Sequence, residues 1–264
     1  MKRIALLGLL CCMGLSAAQA AVQGKEVSYQ AESVTLKGYI AYDDALKGKR
    51  PGVLVVHEWW GHNEYARKRA RMLAELGYTA LAVDMYGDGK QASHPEDAGK
   101  FATEVSKNMT MAKARFEAGL AVLRKHKTVD AKEIAAFGYC FGGGVVLNMA
   151  RSGMDLKGVA SFHGSLATDH PAKRGTIKAS IISFSGEADP MIDVVKVADF
   201  KHEMEAAGAD FRFVTYPGVK HGFTNPDADE LGRKFNLPLA YNAEADKDSW
   251  RQATEFLRMV FGKK

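Results

Sequence analysis

A thiol, a carboxylate and an imidazole occur in the order Cys140, Asp189, His221, each just past an apolar, strand-like run. The first lies within Gly138-Tyr139-Cys140-Phe141-Gly142-Gly143, between the apolar Ile134-Ala135-Ala136-Phe137 and a helix-like stretch from Val145 to Ala150. Glycines two residues either side of a nucleophile let a strand turn sharply into a helix, so that the side chain projects from the sheet edge. The helix that follows aims its N-terminal N–H groups at the same spot, which favours a thiolate and an oxyanion alike. Asp189 is presented by Ser183-Phe184-Ser185-Gly186-Glu187-Ala188-Asp189-Pro190, and His221 by Tyr216-Pro217-Gly218-Val219-Lys220-His221-Gly222-Phe223. Taken singly, a buried cysteine, a turn-forming aspartate before proline and a loop histidine would need no function. Three such residues at three consecutive strand ends suit covalent catalysis: the thiol attacks, His221 carries the proton, and Asp189 fixes its tautomer.

Glu58 adds a fourth group. It follows Val53-Leu54-Val55-Val56-His57 directly and runs into Trp59-Trp60, so the carboxylate is expected half-buried, with a raised pKa suited to a base near neutrality. His57 and His62 resemble a zinc-binding pair, but their five-residue gap separates the rings on a helix and Trp60-Gly61 reads as a loop. The remaining histidines, His94, His126, His163, His170 and His202, show no ligand spacing and are read as surface or loop residues. No metal and no cofactor is expected.

The elements needed to position these groups are legible as apolar runs. Strand-like segments are Glu26–Ala41 (a pair), Pro51–His57, Thr79–Met85, Ile134–Tyr139, Gly158–His163, Ala179–Ser185 and Phe211–Pro217. Helical patterns fall between them: one capped by Asn63, one across Asp97–Lys125, one over Asp193–Ala207 and a last at Ser249–Phe261. Strand–helix alternation predicts an α/β fold with a doubly wound, mostly parallel sheet and helices on both faces. Asn225–Asp248, polar and broken by Pro226, Gly232 and Pro238, reads as an excursion over the top of the sheet.

Residues 1–20 read as a signal peptide: Lys2 and Arg3, an apolar run from Ile4 to Leu15, then Ala18-Gln19-Ala20 before a cleavage at Ala21. That run is too short to span a bilayer, no second one follows, and Cys11 and Cys12 lack the small-residue context of a lipoprotein signal. The expected product is an exported protein of the bacterial periplasm, with residues 21–264 forming a single domain and a monomer as its expected state. Cleavage removes Cys11 and Cys12 and leaves Cys140 alone, so the fold has no intramolecular disulfide to rely on. It also takes the formal charge from +5 to +3, since only Lys2 and Arg3 are lost. Basic residues are scattered, and the cluster Arg67-Lys68-Arg69 and Arg71 has no interleaved aromatics, so no nucleic-acid partner is expected.

His57-Glu58-Trp59-Trp60-Gly61, the cysteine elbow, Gly186-Glu187-Ala188-Asp189-Pro190 and Lys220-His221-Gly222-Phe223 together resemble the dienelactone hydrolase (carboxymethylenebutenolidase) family, across roughly Gly38 to Phe261. The resemblance implies an α/β-hydrolase fold and a Cys140–His221–Asp189 triad cleaving a small ester or lactone through an acyl-enzyme. It implies that Glu58 contacts the resting thiol, which should then be sluggish toward alkylation, and that the Trp59 and Phe141 N–H groups form the oxyanion hole. Two arginines that hold a substrate carboxylate in family members match positions near Asp88 and at Asn225, neither of them basic here. A neutral substrate is therefore expected, walled by Trp59, Trp60, Tyr86 and Phe223 and reached by Asn225, unless Lys173, Arg174 or Arg233 restores the clamp. The competing reading is a catalytically silent periplasmic binding or scaffold protein with a hydrolase fold. Retention of Cys140, Asp189, His221 and Glu58 together favours the enzyme, and the absence of a resolving cysteine disfavours a redox sensor.

Overall fold

The computed structural model describes residues 22–262; the segment read as a signal peptide lies outside the described residues. In chain order the elements are β1 (Val22–Ala31), β2 (Val34–Asp43), β3 (Arg50–Val56), α1 (Glu64–Glu75), β4 (Thr79–Val83), α2 (Pro95–Ser106), α3 (Met109–Lys125), β5 (Val129–Tyr139), α4 (Phe141–Arg151), β6 (Gly158–Phe162), β7 (Ser180–Gly186), α5 (Val194–Ala207), β8 (Phe211–Tyr216), α6 (Ala228–Phe235) and α7 (Ala243–Val260). The sheet runs β1-β2-β4-β3-β5-β6-β7-β8. β1 pairs antiparallel with β2, and β2 with β4; every later pairing is parallel.

The continuous apolar runs of the central strands are explained by burial on both faces. Along β3, Leu54 and Val56 pack toward α2–α5, while Val53 and Val55 pack toward α1 and α7. β4 and β5 divide their side chains in the same alternating way, as the period of two requires. The parallel strands β3, β5, β6, β7 and β8 thus deliver their C-terminal ends, and the loops after them, to one edge of the sheet.

Two stretches depart from the sequence expectation. The span Asp97–Lys125 is two helices, broken at Lys107 and Asn108, where Asn108 caps α3 by accepting the Met111 N–H at 3.0 Å. The polar span Asn225–Asp248 is not irregular: it contains α6 and the first turns of α7. Pro226 precedes α6 and Pro238 falls in the turn between α6 and α7, whereas Gly232 is buried within α6, where a Cβ would meet the Leu239 carbonyl.

Candidate active site

The elbow after β5 folds as its glycines require. Cys140 takes φ 52° and ψ −116°, a region that costs an L-residue roughly 1–3 kcal/mol and that the surroundings must enforce. A Cβ at Gly138 would run into the Gly142 carbonyl, and one at Gly142 into the Val56 carbonyl of β3, so neither position accepts a side chain. Gly142 N–H donates to His57 O at 3.1 Å, tying α4 to the end of β3. The partly buried Cys140 sits at the N-terminus of α4, where unpaired N–H groups favour negative charge.

Asp189 and His221 meet across the next strand ends. Asp189 Oδ2 lies 2.7 Å from His221 Nδ1, and its Oδ1 accepts the Met191 N–H at 2.8 Å. The carboxylate is therefore held on both oxygens, and the imidazole is aimed by it. His221 Nε2 is buried beside the Cys140 sulfur, which it faces without a well-formed hydrogen bond. Burial pushes the imidazole down, but the Cys140 charge and the Asp189 hydrogen bond outweigh it, and His221 is pushed up to about 10. The span Asn225–Asp248 braces this loop: Ala240 N–H donates to His221 O at 3.1 Å and Asn242 N–H to Phe223 O at 3.1 Å.

Glu58 is more buried than expected, at 5% exposure, and its pKa is pushed up to about 7, mainly by desolvation. Its partner differs from the one the resemblance implies. Asn225 Nδ2 donates to Glu58 Oε2 at 2.7 Å, so the carboxyl is parked on the residue standing at the arginine position rather than on the thiol. Glu58, Trp59, Trp60, Cys140, His221 and Asn225 line one small cavity of about 10 Å³, close to the room one water needs. A second cavity, of about 320 Å³, opens beside it and is walled by Trp59, Ala102, Phe141, Met191, Ile192 and Leu239, with Cys140 and His221 at its base. Among the described residues no lysine or arginine lines either cavity, and Lys173, Arg174 and Arg233 are exposed elsewhere.

Other expected residues fall as follows. The Trp59 and Phe141 N–H groups make no hydrogen bond to a protein acceptor among the described residues. Tyr86 and Phe223 do not form the expected substrate wall. The Tyr86 hydroxyl donates to Trp59 O at 2.9 Å and its ring packs on His57 and Phe141, behind the cavity. Phe223 is fully buried against His163 and Tyr216, beneath the His221 loop. His57 serves the backbone: Nδ1 lies 2.6 Å from Glu58 O, and Nε2 accepts the Met85 N–H at 3.2 Å. His163, read as a surface or loop residue, is wholly buried at the end of β6 and accepts the Cys140 N–H. A histidine ending the strand next to the elbow strand was the signal available for it.

The model of the dienelactone hydrolase family matches residues 36–261, almost the whole described chain. The chain belongs to the dienelactone hydrolase family. An Aquifex aeolicus protein provisionally named a carboxymethylenebutenolidase is 26% identical over 239 residues, spanning 89% of this chain and 98% of its own length. A dienelactone hydrolase-like promiscuous phosphotriesterase from metagenomic libraries is 30% identical with a TM-score of 0.84, over 91% of this chain and 99% of that one. A solved structure named m3DLH is 33% identical with a TM-score of 0.87, over the same shares. Family membership makes this chain an ester hydrolase acting on small-molecule esters or lactones. No described helix is long and apolar enough to cross a membrane.

Proposed function

We propose that Cys140 is the nucleophile of a Cys140–His221–Asp189 triad that hydrolyses a small neutral ester or lactone by way of a thioester. The observation that carries this reading is the Asp189–His221 bond of 2.7 Å, with His221 Nε2 facing a cysteine held at positive φ in the elbow. The Cys140 sulfur, its proton on His221, attacks the carbonyl carbon, and the oxygen that gains the charge accepts from the Trp59 and Phe141 N–H groups. Collapse breaks the bond to the alcohol, which leaves with the His221 proton. Water then attacks the thioester, His221 takes its proton, and the carbon–sulfur bond breaks to return thiolate and acid. The small cavity between Glu58, Cys140 and His221 suits that water, and Glu58, near pKa 7, is the adjacent second base.

The apolar wall of the 320 Å³ cavity, without a cation, supports a substrate with no carboxylate. Burying an unpaired carboxylate there costs several kcal/mol. Export through residues 1–20 belongs to the same reading and rests on the signal pattern alone; the intact mass of the secreted form tests it, with cleavage before Ala21 expected and retention of Cys11 or Cys12 against it. The test of the chemistry is release of p-nitrophenol from p-nitrophenyl acetate before and after iodoacetamide. Loss of turnover with one alkyl group on Cys140 is expected, and full turnover by the alkylated protein would refute the thiol mechanism.

A further inference from the structure

We propose that His163 is a positioning residue for the nucleophile: a neutral imidazole that locks the Cys140 backbone to the loop carrying His221. The inference rests on the triad reading above. His163 follows β6 directly, is 0% exposed and sits at φ 41°, a conformation its surroundings must hold in place. Its Nδ1 accepts the Cys140 N–H at 3.1 Å, an N–H shared with Phe162 O at 3.0 Å. With Nδ1 accepting, the ring proton belongs on Nε2, which donates to Thr224 Oγ1 at 2.8 Å. Thr224 is three residues past His221, so one ring ties the nucleophile's peptide to the proton carrier's loop.

The chain continues into the scaffold. Thr224 Oγ1 is 2.6 Å from the Tyr65 hydroxyl, which also accepts from Arg69 Nε at 3.2 Å. Arg69 Nη2 donates to Thr224 O at 2.5 Å and pairs with Asp246 Oδ1 at 2.6 Å. Helices α1 and α7 thereby fix Thr224 through both its hydroxyl and its carbonyl, and Thr224 fixes His163. Every member from Arg69 to His163 is buried. The arrangement requires an uncharged His163: a second proton would remove the Nδ1 acceptor and place like charge beside His221, whose ring centroid is 5.0 Å away. His163 lines neither catalytic cavity, so its action is on the geometry of Cys140 and His221 and not on substrate.

Thr224→Val removes the hydroxyl with little change of shape, and Thr224→Ser keeps it. His163→Phe removes both ring nitrogens, whereas His163→Asn keeps an acceptor on a residue that tolerates positive φ. Near-attack geometry is sensitive to displacements of an ångström or less, so Thr224→Val and His163→Phe are expected to lower kcat by roughly ten- to a hundredfold with KM changed less than about twofold. Alkylation of Cys140 by iodoacetamide should slow in parallel, and Thr224→Ser should restore both rates. Folded Thr224→Val with a lowered Tm but parental kcat and parental alkylation rate would overturn the proposal, as would failure of Thr224→Ser to rescue. The triad reading is judged separately, by whether alkylation abolishes turnover in the parent protein.

Discussion

His163 and His221 lie with ring centroids 5.0 Å apart, both buried, and the protein drives them in opposite directions. His221 is pushed up to about 10, against burial, by the Cys140 charge and the Asp189 hydrogen bond. His163 is held well below the usual histidine range, first by burial and then by the charges of His221 and Arg69. The two sites share a depth and differ in partners. One ring faces a carboxylate and a thiol that reward a positive charge; the other faces an N–H donor and a hydroxyl that reward a neutral acceptor–donor. Depth alone therefore says little about what a buried histidine does, whereas the sign of its partners says a great deal.

That contrast can be broken at several points. The largest effect is expected from the charged side: Cys140→Ala and His221→Ala should each lower kcat by on the order of a thousandfold or more, and the double variant should lose little beyond either single one, because the residues act as a unit. Multiplicative losses in the double variant would contradict the shared role. Asp189→Asn removes the charge that supports the imidazolium and mis-sets the tautomer, so a kcat loss approaching that of His221→Ala is expected in steady-state kinetics.

Glu58 sharpens the comparison through pH. A carboxyl at about 7 is neutral below that pH and charged above it, while His221 loses its proton only near 10. If Glu58 acts as a base toward the water that hydrolyses the thioester, kcat should rise through pH 7 and fall near pH 10, and Glu58→Gln should abolish the lower limb only. The same shift has a sign for stability. A carboxyl raised in the fold above its ordinary 4.5 gives stability that is full below 4.5 and lost as pH rises through about 7. The gap is worth up to about 3 kcal/mol, so Glu58→Gln should raise Tm at pH 8 and leave it nearly unchanged at pH 4. A Tm gain of equal size at both pH values would show that ionisation is not its source.

The smallest effect is expected at Asn225. Asn225→Arg puts a cation where the 2.7 Å bond to Glu58 now stands, and should narrow the preference for neutral over carboxylate-bearing esters by severalfold in paired kcat/KM assays. A parent protein that already prefers the anionic ester would mean that another cation reaches the cavity.

What could be read in the sequence follows the range of the interaction. Strands buried on both faces declare themselves as apolar runs, and the elbow glycines lie within two residues of Cys140, so the α/β sheet and the strand-end placement of Cys140, Asp189 and His221 were legible. The break at Lys107 and Asn108 was not, because a two-residue interruption barely disturbs the helical period on either side. The role of His163 was hidden because its partners, Cys140 and Thr224, are 23 and 61 residues away in sequence. Asn225 stood out only as a missing arginine; its bond to Glu58 spans 167 residues. Tyr86 and Phe223 stand close to the site along the chain but pack behind and beneath it, since nearness in sequence does not fix which way a ring packs.

The central claim is that Cys140 carries the acyl group during turnover. Rapid acid quench of the protein mixed with p-nitrophenyl acetate, followed by intact-mass and peptide mapping, tests it without reliance on steady-state rates. An acetyl group on the Cys140 peptide, formed with the burst of p-nitrophenol and absent after iodoacetamide treatment, is the predicted result. A burst of p-nitrophenol with the acetyl group on another residue, or a burst with no adduct on Cys140, would contradict it.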